Sequence, residues 1–309
     1  MKKNVKNFLL WTLALLMTFF IAYYQRISGP TYPVSGKVKI DNEWVAYQLI
    51  RTHGGKKGAV ISIPVKDTLI NGHIEYKRYK SYDTLSSADM TLVEHHLQFE
   101  LPHLPPAGKM MYRVILKKGD QQVRLNQGKF VVLRYKGKVP VGVLVPHIFF
   151  MFLSLLFASR AFLAVLTREA EHAPYLVNVV MASLFLGGLI LGPIVQKYAF
   201  GAYWTGWPIG HDLTDNKTFL MFVFWLIAWF KIRKDPLHRL WVIVAMFVMM
   251  AVYLIPHSAW GSEIDYTKKD TSQQTEQIKN QNEYFYHLNN CTCFNSGLWQ
   301  WRAHRPLKV

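Results

Sequence analysis

Five long apolar runs divide the chain, and polar segments separate them. The first is FLLWTLALLMTFFIAYY, Phe8 to Tyr24. The second extends from Pro146 to Leu166 and the third from Pro174 to Val195. The fourth is FLMFVFWLIAWF, Phe219 to Phe230, and the fifth runs from Leu240 to Ile255, where Pro256 stops it. Apolar blocks of this length predict helices that cross about 30 Å of hydrocarbon at ~1.5 Å per residue. The fourth run is short and has to borrow flanking residues. Pro140 or Pro146 suits the first turn of the second helix, where a missing N–H costs nothing. Gly187, Gly188 and Gly192 in the third run would let another helix approach closely. Tyr-Tyr-Gln-Arg follows the first run where a signal peptide would carry a small-residue cleavage site, so an uncleaved anchor is expected.

Between Pro33 and Tyr135 the period changes to short alternating runs: SGKVKI, WVAYQLI, AVISIPV, GHIEYKRY, HHLQFEL, MYRVILKK and KFVVLRY. Turn residues separate them, which predicts about seven antiparallel strands. The stretch LPPAGKMMYRVILKKGDQQVRL resembles the final hairpin of immunoglobulin-like or fibronectin-like sandwiches. That resemblance puts Tyr112 where a tyrosine corner would fall. The expected fold is therefore an α-helical polytopic membrane protein with five transmembrane helices and an inserted all-β, sandwich-like extracytoplasmic domain. Its parts are an anchor helix at 1–25, the β domain at 26–139, a four-helix bundle at 140–258 and a polar tail at 259–309. An outer loop at 196–218 interrupts the bundle.

Composition agrees with the blocks: 51% of residues are hydrophobic and 15% aromatic, too blocky for a soluble core. The net charge of +17 points to anionic lipid rather than nucleic acid, because the lysines are dispersed and no nucleic-acid motif accompanies them. Sidedness follows from Lys231, Arg233, Lys234 and Arg239, which face one Asp235 between the fourth and fifth runs. Lys2, Lys3, Lys6, Arg160 and Arg168 fall on the same side. The positive-inside rule makes that side cytoplasmic. The expected location is a bacterial inner membrane, with the N-terminus inside and the β domain and tail outside. The two cysteines, Cys291 and Cys293, are too close for an unstrained disulfide and form no redox motif.

This orientation gathers three histidines that are far apart in sequence. His147 in VPHI, His257 in IPHS and His211 in the loop YWTGWPIGHDLTDNK all fall at the outer interface. Imidazoles held at helix ends suit a transition metal or haem. Asp212, Asp215 and Glu263 would fix their tautomers. Trp204, Trp207 and Trp260 would wall a flat macrocycle. The same features also have a plain reading: interfacial Trp and Tyr anchor helices in lipid, and Asp212, Thr214 or Asp215 serves as a helix N-cap. His95, His96 and His103 read as surface histidines. Neighbours on a strand point to opposite faces, so His95 and His96 would not share one metal.

The loop FGAYWTGWPIGHDLT, with PHSAWG after the last span, resembles the tryptophan-rich segment of the haem-handling membrane proteins of cytochrome c maturation. In order, Gly201, Trp204, Trp207 and Asp212 match it. The spacing differs, and Phe200 replaces the first tryptophan. The resemblance implies haem ligation by His147 and His257.

The expected function is a membrane binding or assembly factor that holds haem or a metal at the outer face. One alternative is a non-catalytic, membrane-anchored protein whose β domain binds an envelope partner. Another is an enzyme acting on lipid or an envelope polymer, with His211 and Asp212 or Asp215 as acid–base groups. No nucleophile motif supports catalysis.

Overall fold

The computed structural model describes residues 3–167, 172–210, 212–235, 238–256 and 263–267. Residues up to Asp265 form one compact unit. The helices are α1 (Lys3–Ser28), α2 (Val141–Leu166), α3 (Ala173–Leu184), α4 (Gly192–Phe200), α5 (Leu213–Lys234) and α6 (Arg239–Leu254). A π-helical segment, Phe185–Leu191, joins α3 to α4 into one continuous rod.

Three helices are long and apolar enough to cross a membrane: Asn4–Ser28, Val141–Leu166 and Ala173–Phe200. This is a membrane protein with a helical bundle and a β region. Helix α6 is apolar but shorter, and α5 is longer than its apolar run. In the packing, α2 contacts α1, α3 and α6, and α5 contacts α3 and α6. The core is a stack of large and small residues: Trp225, Met246 and Met249 beside Ala158, Ala161, Ala228 and Ala245, all fully buried. Alternating volumes of this kind let helices interdigitate at native density. The predicted close approach is present at Gly187 and Gly188, whereas Gly192 has only ordinary contacts at 3.5 Å or more. A Cβ on Gly187 would lie 2.9 Å from Phe150 Cβ, and one on Gly188 would lie 2.9 Å from Thr218 Cγ2. Helix α2 begins one residue after Pro140, while Pro146 lies inside it.

All seven alternating runs form strands: β1 (Val34–Ile40), β2 (Glu43–Leu49), β4 (Ala59–Pro64), β5 (Asn71–Arg78), β8 (His96–Leu101), β9 (Lys109–Lys118) and β11 (Val131–Lys136). Four short strands join them: β3 (Thr52–Gly54), β6 (Ser86–Asp89), β7 (Thr91–Val93) and β10 (Gln121–Arg124). They make three sheets. One is β1–β2, one is β4–β8–β7, and the largest runs β3–β11–β9–β5–β6, with β10 also beside β9. Only the β3–β11 pairing is parallel among these described strands. Inward positions alternate as the sequence requires, and Ile40, Ile61, Ile63, Ile74, Leu97, Val114 and Leu133 fill one core.

Two details of the β region depart from expectation. Tyr112 is fully buried and its hydroxyl donates to the Ile50 carbonyl at 2.8 Å, 62 residues away. It therefore ties β9 to the end of β2, rather than closing a local corner. His95 is not on a strand. It follows Glu94 in the tight β7–β8 turn, where both residues have positive φ (63° and 45°).

The C-terminal end of the β region meets the bundle at the end of α4. Gly137 N–H donates to the Ala199 carbonyl at 2.9 Å. A Cβ on Gly137 would lie 2.1 Å from the Tyr198 carbonyl oxygen, so the two backbones touch with no room for a side chain. The Arg134 guanidinium stacks over the Phe200 ring at 4.2 Å. The end of α6 joins this layer: Gln25 on α1 donates to the Tyr253 carbonyl, and Lys217 on α5 donates to the Ile255 carbonyl at 2.9 Å. At the opposite end, Lys6 donates to the Thr167 carbonyl and Arg160 to Asn7.

Candidate functional site

The domain-bearing end of the bundle contains a cavity of about 110 Å³. Five elements converge on it. Strand β11 supplies Arg134, α2 supplies His147, α4 supplies Gln196 and Phe200, and α5 supplies Asp212 and Asp215. Gly188 and Gly192 from the π segment and the start of α4 complete its apolar side with Met151.

The π segment explains the position of His147. Its wider turn sends the Gly192 N–H back to the Gly187 carbonyl, and His147 Nδ1 lies 2.9 Å from that same oxygen. A carbonyl only accepts, so Nδ1 carries the proton and Nε2 keeps the lone pair. The tautomer is thus fixed by a backbone carbonyl, not by Asp212, Asp215 or Glu263. π-Helical turns are rare and occur frequently at functional sites.

The loop to α5 is organised around two carboxylates. Helix α4 ends at Gly201, whose φ of 91° is the left-handed conformation favoured at helix ends. The helix thus runs to Phe200, and the connection is shorter than the expected 196–218. Asp212 is the N-cap of α5 and accepts from Thr214 N–H at 2.7 Å. Asp215 is buried. Its Oδ2 accepts from Thr205 N–H at 2.7 Å, from Gln196 Nε2 at 3.0 Å and from Thr205 Oγ1 at 3.2 Å. Three donors on one oxygen compensate much of the desolvation of that charge.

Arg134 is the cation of the cavity and is also buried. Burial holds its guanidinium below the ordinary arginine range, and the carboxylates of Asp212 and Glu263 oppose that shift. An arginine so placed remains charged. Glu263 is occupied elsewhere, in ion pairs with Lys80 and Lys109. These ammonium groups outweigh its own burial and hold the carboxyl below its usual range.

The remaining sequence candidates divide clearly. Trp204 and Trp207 do not line the cavity. Trp204 Nε1 donates to the Trp207 carbonyl, and Trp207 is exposed, with its ring 6.2 Å from that of Phe219. Tyr203 and Ile209 are also exposed, so the loop presents a largely aromatic rim at its surface. His211, His257 and Trp260 lie outside the described residues, as do Cys291 and Cys293. Among the described residues no three His, Cys, Asp or Glu side chains stand close enough to share a metal. The cavity is also small against the ~300–1,000 Å³ of ordinary cofactor pockets.

Sequence reasoning missed Arg134, Gln196 and Thr205. Arg134 carried one faint signal: it is the charged residue between Leu133 and Tyr135, in a strand where both neighbours are buried. No protein-family model matches this chain, and no curated protein or solved structure shows significant similarity to it.

Proposed function

We propose that this is a membrane-embedded binding protein that holds a small polar ligand between its β region and its helices. One observation carries the reading: Arg134 from a strand and His147, Gln196, Asp212 and Asp215 from three helices enclose a single cavity. A guanidinium, an imidazole lone pair and two carboxylates suit a small zwitterion. Its anionic end would meet Arg134, and its donor end would meet His147 Nε2 and Asp212. The volume corresponds to a few non-hydrogen atoms at ~30 Å³ per water-sized group. The two carboxylates of the cavity already have partners as a helix cap and as the acceptor of three hydrogen bonds, an arrangement that supports binding over catalysis.

The same proposal includes five spans, counting the rod Ala173–Phe200 as one and adding α5 and α6. Helix ends support it: α1, the rod and α6 finish at the β region, while α2 and α5 start there. Lys6, Arg160, Lys231, Arg233, Lys234 and Arg239 then share the opposite face, which the positive-inside rule makes cytoplasmic. The β region would be extracytoplasmic in a bacterial inner membrane.

The test is a thermal-shift screen of the full-length protein in detergent against small amino acids, betaines and carboxylates. A stabilising compound is expected whose effect disappears in His147→Ala and Arg134→Gln, with helical circular dichroism unchanged. A flat screen would overturn the reading. A Soret band or stoichiometric metal in the same preparation would replace it with the haem or metal function.

A further inference from the structure

A second polar cleft, of about 200 Å³, opens on the other side of Arg134. It is lined by Pro30, Thr31, Arg51, Tyr79, Lys109 and Arg134. Pro30 and Thr31 follow directly on α1, so the cleft lies where the first apolar helix leaves the membrane.

Its cations are set by strand register. Arg134 pairs with Lys109 across β11 and β9, and with Thr52 across β11 and β3. Arg51 precedes Thr52 and accepts at its carbonyl from Arg134 N–H at 3.0 Å. Lys109, Arg134 and Arg51 thus line the cleft as a row of cations, the first two as cross-strand partners and Arg51 one residue before Thr52, the partner of Arg134 on β3. Like charges side by side on a sheet repel, and the fold compensates this only in part. Glu263 bonds to Lys109 and Lys80 at one end of the row. At the other end, Arg51 is half-buried, and no acid pairs with it among the described residues. Burial already opposes its charge. A half-buried guanidinium without a carboxylate, beside two further cations at a membrane exit, matches the requirements of an oxyanion with several acceptor atoms.

We propose that this cleft binds a phosphate group, gripped by Arg51 and Lys109 with Arg134 behind them. Two sources present that chemistry at this depth: the headgroup of an anionic phospholipid and free inorganic phosphate. The cleft shares Arg134 with the cavity of His147 and Asp215, but Arg51 and Lys109 line the cleft alone, so the proposal and its test at Arg51 stand whether or not that cavity holds a ligand.

The experiment uses the full chain in two kinds of nanodisc: phosphatidylcholine alone, and phosphatidylcholine with phosphatidylglycerol. Inorganic phosphate is titrated into the first by calorimetry. Lipid retained after detergent extraction from the second is read by native mass spectrometry. Arg51→Gln should weaken binding about tenfold, as expected for losing a charge-assisted contact. Lys57→Gln removes one charge from an exposed turn of the same domain and should leave binding unchanged. Arg51-dependent retention of phosphatidylglycerol without saturable phosphate binding assigns the lipid source, and Arg51-dependent saturable phosphate binding assigns the free ion. Equal losses in Arg51→Gln and Lys57→Gln would reduce the effect to general electrostatics and overturn the site. So would the absence of both binding signals. If Arg51→Gln does not fold, Arg51→Lys decides: it keeps the charge but loses the planar fork, and unchanged affinity would overturn the proposal.

Discussion

The β region and the helical bundle handle charge in opposite ways. In the β region, away from the Arg134 and Arg51 cleft, ionic groups stay near the surface and pair with one another: Arg78 with Asp83, Arg113 with Glu75, and Lys118 with both Asp41 and Asp67. The bundle instead buries Arg160, Asp215 and Lys217. These groups bond to backbone and amide partners such as Asn7, Thr205, Gln196 and Ile255. Surface pairs contribute little to stability, whereas a buried charge is destabilising once its partner is removed. The difference teaches where substitutions should be felt. Polar changes should be mild in the β region and severe at the ends of the helices.

The largest effect that bears on this contrast comes from the apolar reference. Trp225→Ala, at a fully buried position in the bundle, should cost about 4 kcal/mol. Denaturant melts of the detergent-solubilised protein would measure it. Asp215→Ala should come close behind, at about 3 kcal/mol, because it leaves three donors without their acceptor. Limited proteolysis should then cut first within residues 201–212, while the β region stays protected. A loss below ~1 kcal/mol would remove the contrast.

Gly188→Ala should cost about 2 kcal/mol by overpacking against Thr218. It should also loosen the cavity, visible as faster hydrogen exchange at the start of α5. Tyr112→Phe removes one buried hydroxyl bond to Ile50 and should cost about 1 kcal/mol. The smallest effect is acid sensitivity of the β region. Asp41, Asp67 and Asp83 are held below their ordinary value by Lys118 and Arg78. Depressed folded-state values give stability that is present above the unfolded value near 3.8 and lost as pH falls through the folded one. The melting temperature should therefore be flat above about pH 5 and decline below about pH 4. Lys118→Ala should flatten that decline, which separates these pairs from Asp83.

Much of the architecture was legible in the residues. Alternation located all seven long strands, since a period of two has one interpretation when one face is buried. The short strands β3, β6, β7 and β10 were not legible, because three or four residues are too few to show a period. Asp212 as an N-cap and Gly187 and Gly188 as close-approach points also followed from local chemistry. The site was legible only in part. His147, Asp212 and Asp215 do meet in one cavity, but Trp204 and Trp207 do not line it. An aromatic at the membrane interface gives the same sequence signal whether it anchors a loop or walls a pocket.

By itself, the sequence determined the elements: apolar runs long enough for lipid, alternating runs for sheets, and turn residues between them. Each depends on neighbours within a few positions, where backbone geometry and hydrophobic period decide the outcome. Only the tertiary structure decided that Arg134 would lie over Phe200, that His147 would bond to the Gly187 carbonyl, and that Arg51, Arg134 and Lys109 would line one cleft. Those meetings depend on which strand face packs on which helix end and on register between distant strands. Register and packing are set by the sum of many burials across the fold, not by any local stretch of chain.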